Sequence, residues 1–217
     1  RATMKNLPYD VLKDFLPVTL VGRVAFMLVV HPSVPAASVR ELVDLARAQP
    51  GKVNFASFGS GTSNHLAGEL FRSMAGINIV HVPYKGNAPA LTDTIAGQVE
   101  MIFSGVPLLV PHIEAGRIRA IGIGSMKRFR ALPNVPTIDE SGLKGYEATT
   151  WFGLMAPIKT PRDIVAKLNV EVGKILASNE VSEKFLNEGV EPMGGSTEFF
   201  TQFIRDEIAK YAKVVKA

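Results

Sequence analysis

This sequence predicts an α/β fold, a mainly parallel sheet covered by helices, and three features predict it. Its strand-length apolar runs are short and continuous, as in strands buried on both faces. They alternate with amphipathic, helix-length segments through four strand-helix units up to Ile123. Across 217 residues, 47% hydrophobic and 20% charged content suits one good core or two small ones and gives no sign of disorder.

The elements follow in order. Residues 7–14 read as a loop with a short turn, and 15–20 and 25–30 as two extended segments. Ser38 caps a helix to about Ala48 with Leu42, Leu45 and Ala46 inward, ended by Pro50-Gly51. A strand at 53–56 then runs through the polar loop Ser57-Phe-Gly-Ser-Gly-Thr-Ser63 into a helix that Gly76 stops. Residues 79–82 form a strand, and Pro89 introduces a helix to Ala96 that Gly97 closes. Residues 99–103 are the next strand, Ser104-Gly105 a turn, 107–115 a helix closed by Gly116, and 119–123 another strand. Residues 133–145, rich in Pro and Gly, read as a loop around a short helix. Residues 149–155 are extended, Thr160-Pro-Arg-Asp163 opens a long helix in a favourable capping order, and Ser178 and Ser196 begin two more.

The loop at 57–63 reads as an anion cradle. Gly59 and Gly61 permit positive φ and close backbone approach, while Ser57, Ser60, Thr62 and Ser63 supply hydroxyls. Thr62 or Ser63 caps the following helix, whose Leu66, Leu70, Phe71 and Met74 share a stripe. Its free N–H groups and dipole then suit a carboxylate. A phosphate-binding Walker loop needs Lys where Thr62 stands, and a nucleophile elbow needs Gly where Phe58 stands. An ordinary strand-to-helix turn is the alternative. The turns at 57–63, 84–87 and 104–105 all fall at the carboxyl edge of a parallel sheet, where ligands bind, which adds Tyr84, Lys85, Gly86 and Ser104 to the candidates.

Single residues have competing roles. His65 and Glu69 share a helical face, but no third ligand has metal-binding spacing, so His65 is expected to donate a hydrogen bond near the cradle or pair with Glu69. Lys85 either meets an anion or is solvated; Tyr84 packs on the site wall with its hydroxyl inward, and Trp151 is expected to pack within the protein rather than stack on a ligand. No cofactor or metal is expected. The basic cluster Lys127-Arg-Phe-Arg130 has no aromatic platform beside it, and the net charge of +4 is scattered, which argues against nucleic acid. Without Cys there are no disulfides or thiolate sites. Apolar stretches such as 24–30 fall short of the roughly 20 residues that cross a bilayer. Arg1-Ala-Thr-Met4 shows no leader, so a secretory signal is expected to have been removed or not included.

Five segments carry a resemblance along the whole chain: Leu7-Pro-Tyr-Asp10, Ser57 through Phe71, His81-Val-Pro-Tyr-Lys-Gly86, Leu132-Pro-Asn-Val-Pro-Thr137 and Tyr146-Glu-Ala-Thr-Thr-Trp-Phe-Gly153. In these the sequence resembles the Bug/TctC family, extracytoplasmic solute-binding proteins of tripartite tricarboxylate transporters. The resemblance implies a type II periplasmic-binding-protein fold of two lobes closing on a small carboxylate, with no catalysis. It implies residues 1–28 and 148–217 in the first lobe, 29–147 in the second, and hinge segments near Val29 and Trp151. It also implies that the loop matching Ser57 to Thr62 holds a ligand carboxylate through backbone N–H groups and water, in the periplasm, for delivery to membrane permease subunits. The alternative is an α/β enzyme acting on a carboxylated metabolite, for which no acid/base pair or activated nucleophile stands near the loops.

Two departures from the family follow. The resemblance implies a first lobe that is expected to be incomplete here, with self-association through its remnant, or a bound N-terminal fragment, expected to cover the gap. Ser104-Gly105 also stands where many relatives carry Asp-Asn, which disfavours amino acids and favours dicarboxylates or aromatic and aliphatic acids.

Overall fold

The computed structural model describes residues 8–130 and 132–214. Leu7, expected at the head of the first loop, lies outside the described residues, as do 1–6 and 215–217 of the expected first lobe. The elements are α1 (Val11–Asp14), β1 (Phe15–Val30), α2 (Val39–Ala48), β2 (Asn54–Ser57), α3 (Ser63–Ala75), β3 (Val80–Pro83), α4 (Asn87–Ile95), β4 (Met101–Gly105), α5 (Val106–Glu114), β5 (Arg119–Ile123), β6 (Thr149–Pro157), α6 (Arg162–Ala177), α7 (Asn179–Asn187), β7 (Val190–Gly194) and α8 (Thr197–Val214). They fall into two compact units, one of residues 8–24 with 151–214, the other Ala25–Thr150.

In the Ala25–Thr150 unit the strand order is β3-β2-β4-β1-β5. β2 is parallel to both β3 and β4, as successive strand-helix crossovers require, but β1 is antiparallel to β4 and β5. The mainly parallel expectation is corrected to a mixed sheet. Its cause is β1, one 16-residue strand in place of two segments. Nothing in Val21-Gly-Arg-Val24 has turn chemistry strong enough to stop it, so the strand passes from one unit into the other.

One face of this sheet carries Met27, Val29, Ile102 and Ile123 packed with Ala90, Leu91, Val106 and Leu109 of α4 and α5. Phe71 of α3, Phe103 and the fully buried Tyr146 form an aromatic group with centroids 5.8–6.3 Å apart, and the Tyr146 hydroxyl donates to the Ala67 carbonyl at 2.9 Å. The buried positions of α3 are Asn64, Ala67, Gly68, Leu70, Phe71 and Ala75. Met74, expected inward, is 38% exposed, because Gly68 lets the helix settle directly on the Phe55 ring and rotates the stripe toward its small residues. In α2, capped as expected by Ser38, Val43 is buried where Leu45 was expected.

Between 133 and 145 the chain makes turns and no helix. Thr137 and Glu140 do exchange the reciprocal bonds of a capping box, Thr137 N–H to Oε2 at 2.8 Å and Glu140 N–H to Oγ1 at 3.0 Å. Gly142 and Gly145, at φ 109° and 79°, stop propagation at once.

In the other unit, β7, not foreseen from sequence, pairs antiparallel with the first half of β1 from Leu20↔Gly194 to Val24↔Val190. Its core is two small clusters, Leu16, Val18, Ala156 and Val165, and Leu20, Phe200 and Ile204. Trp151 stands edge-on to Phe200 and Phe203. Asn169 of α6 binds the Val18 and Gly195 carbonyls at 2.7 and 2.8 Å. The long helix α6 starts from Pro161 with no side-chain cap, so Thr160 does not fill the expected role.

Candidate functional site

Because β3, β2 and β4 are mutually parallel neighbours, the turns leading into α3, α4 and α5 share one edge. Two are stitched together by backbone: Tyr84 N–H donates to the Ser57 carbonyl at 2.9 Å and Gly86 N–H to the Phe58 carbonyl at 3.2 Å. Gly59, Gly61 and Gly86 have φ of 135°, 81° and 109°, where a side chain would be strained.

The polar groups of the loop divide into two sets. The first is consumed internally. Ser57, fully buried, accepts Gly59 N–H at 3.1 Å and binds the Gly59 carbonyl at 3.2 Å. Thr62 occupies the N-cap of α3, but its single hydroxyl proton is shared between the Gly59 carbonyl, 2.6 Å away, and Asn64 Oδ1, 2.7 Å away, so the expected hydroxyl cap is corrected. Asn64, buried and not singled out from sequence, bolts the loop to the sheet: Oδ1 accepts Phe58 N–H and Nδ2 donates to the Phe103 carbonyl, both at 3.3 Å. Gly61 N–H donates to His65 Nδ1 at 3.1 Å.

The second set is open. Among the described residues, the Ser60 hydroxyl and N–H and the first-turn N–H groups of Ser63, Asn64 and His65 have no protein acceptor or donor. Ser60 is exposed at the tip of the loop. These donors sit at the positive end of a 13-residue helix, an arrangement suited to an anion.

Behind the loop stand two imidazoles. His65 accepts from Gly61 through Nδ1, which puts its proton on Nε2, 3.7 Å from Glu69 Oε1; Glu69 is also paired with Arg72 at 2.6 Å. His81, not singled out from sequence, places Nε2 2.5 Å from Ser57 Oγ and packs against His65 with centroids 3.9 Å apart and the ring planes at 35°. Burial lowers the pKa of both, His81 to about 4 with further help from His65; for His65 the Glu69 carboxylate opposes the effect and Arg72 adds to it. No group of three His, Asp or Glu side chains among the described residues is placed to hold a metal.

The remaining candidates lie at the same edge in different states. Tyr84 gives its hydroxyl to Asp93 Oδ2 at 2.8 Å; burial, then that bond and the carboxylate's charge, push its pKa up to about 12. Its hydroxyl is committed to α4. Lys85 is exposed with no ion pair among the described residues, and Gly86 is the N-cap of α4. Ser104 lies inside β4 opposite Met27, not in a turn; it is fully buried, and its Oγ has no partner among the described residues.

A family model described as the tripartite tricarboxylate transporter family receptor matches residues 2–217. A UPF0065 protein from the tcbD-tcbE intergenic region of Pseudomonas sp. (strain P51) is 39% identical over 97% of the chain and 63% of its own length. Protein BugT of Bordetella pertussis is 37% identical over 98% and 65%. The chain thus spans just under two thirds of the length of these relatives. Among solved structures, R. palustris Rpa4515 with adipate superposes with a TM-score of 0.86 at 38% identity, covering 99% of this chain and 72% of that one. MatC from Rhodopseudomonas palustris with bound malate gives 0.82 at 28% identity, covering 99% and 74%, and the periplasmic binding protein BugD gives 0.82 at 29%, covering 99% and 73%.

Proposed function

This chain belongs to the tripartite tricarboxylate transporter receptor family, and from that premise we propose that it is part of a periplasmic solute-binding receptor for a small carboxylate. The observation that carries the reading is the set of open donors around Ser60 and the first turn of α3, which offers several N–H groups and a hydroxyl to one anion. Relatives with bound adipate and malate support the ligand class. In this reading the ligand is passed unchanged to permease subunits in the membrane. The two units correspond to the two lobes of the family, the second carrying Ser57, Gly59, Ser60, Gly61, Thr62, His65, Tyr84, Lys85, Gly86 and Ser104 at or near the ligand. Internal consumption of the Ser57 and Thr62 hydroxyls gives those two a supporting role, with Ser60 making contact.

Calorimetric titration with adipate and malate tests the reading, with Ser60→Ala as the control. Removing an exposed, unpartnered hydroxyl leaves the fold intact, so affinity should fall by about 0.5–1.5 kcal/mol if it makes a neutral hydrogen bond and about 1.5–3 kcal/mol if it meets a carboxylate. An unchanged affinity would remove Ser60 from the site. Mass spectrometry should recover the ligand unaltered; turnover would favour an enzyme acting on a carboxylated metabolite.

A further inference from the structure

The open donors around Ser60 account for anion binding and leave the two imidazoles behind the loop without a task. Each ring ends on a different flanking glycine. His65 Nδ1 takes the Gly61 N–H, and His81 Nε2 lies against Ser57 Oγ, which takes the Gly59 N–H. Ring contact at 3.9 Å makes the imidazoles one block, and Phe55 packs against both with centroids 6.2 and 5.0 Å away. The block turns the amides on either side of Ser60 inward and leaves Ser60 as the apex.

We propose that His65 and His81 are positioning residues that present Ser60 to the ligand, and that they do so only while both rings are uncharged. This rests on the carboxylate reading for its ligand, though not for its geometry. An imidazolium has no lone pair, so a proton on His65 Nδ1 would face the Gly61 N–H donor to donor and break the bond that shapes the loop. Charges on His65 and His81 would also sit ring to ring at stacking distance. The groups that face the pair are Glu69 and Arg72 on α3 and Ser57 at the end of β2. Only Glu69 favours a charged His65, and Arg72 already neutralises it. The lowered pKa values of both rings agree with an uncharged pair near neutral pH.

The test compares adipate affinity of the wild-type chain and His65→Gln from neutral to acidic pH; their ratio cancels the titration of adipate itself. The Gln side-chain oxygen retains an acceptor for the Gly61 N–H and does not titrate. Wild-type affinity should fall more steeply below the ordinary histidine range, losing about threefold or more relative to the variant by about pH 4. Parallel profiles would overturn the proposal. So would a relative gain by the wild type, the result expected if an imidazolium simply attracted the carboxylate. A ligand-free arm follows the Gly59 and Gly61 amides of the wild-type chain by nitrogen-proton NMR. They should shift with the same midpoints as the imidazole carbons, and amides that stay put across the imidazole titration would overturn the proposal. Failure of adipate to bind either protein at any pH would instead count against the carboxylate reading, leaving the ligand-free arm to decide the role of the pair.

Discussion

A Cβ placed on Gly68 would lie 2.3 Å from a ring carbon of Phe55, which is itself fully buried and wedged beside His65 and His81. Gly68→Ala therefore sets a helix-propensity gain of about 1 kcal/mol against an overpacking cost of about 1–3 kcal/mol. A net loss of up to about 2 kcal/mol is expected in urea denaturation. A stabilised variant would mean that the Phe55 ring is free to move. At this scale the sequence showed which residue types line the loop, since only Gly supplies the φ of Gly59 and Gly61 and only hydroxyls crowd that turn. It did not show which groups were already engaged. The partners that consume Ser57 and Gly61 are His81, brought in by the neighbouring strand, and His65, whose tautomer depends on a backbone amide.

Ser104 is a matter of where an element ends. Read as a turn residue, it would tolerate a carboxylate; inside β4, fully buried beside β1, it would not. Ser104→Asp should destabilise the unit by about 2 kcal/mol or more at neutral pH, because desolvation raises the pKa of the buried carboxyl above its unfolded value. The deficit should then shrink as pH falls through the raised folded-state pKa toward about 3, where the carboxyl is protonated in both states. Thermal melting at the two pH values checks this, and equal midpoints for variant and wild type at neutral pH would refute it. Short strands, capped helices and Gly stops were legible because local chemistry enforces them, as at Ser38 and Gly76. β7 was not, because Val190-Glu-Pro-Met-Gly194 is too short and too polar to signal a strand without the β1 edge that pairs with it.

The two units are unequally built. In Ala25–Thr150 the sheet is flanked by fully buried residues on several elements, while in the other unit α6 buries only Val165 and Leu176 and α7 buries none of its residues. Hydrogen exchange should therefore leave β2 and β4 protected longest and release α7 and α6 first. Equal protection in both units would contradict this. The α/β class was legible at this scale, because strand-helix alternation is periodic over four units; the mixed sheet was not, since the direction of β1 depends on pairings with β4 and β5 about seventy and ninety residues further on. That one strand also imposes a timetable on a chain emerging from synthesis. Its second half can find β4 and β5 once Ile123 is available, and β6 pairs with β1 next, but the edge that β7 covers must wait longest, and the bond from Thr19 to Gly195 spans 176 residues. The Ala25–Thr150 unit is therefore placed to mature first, with one edge of Leu20 to Val24 left open to wrong partners until 190–194 arrives to close it.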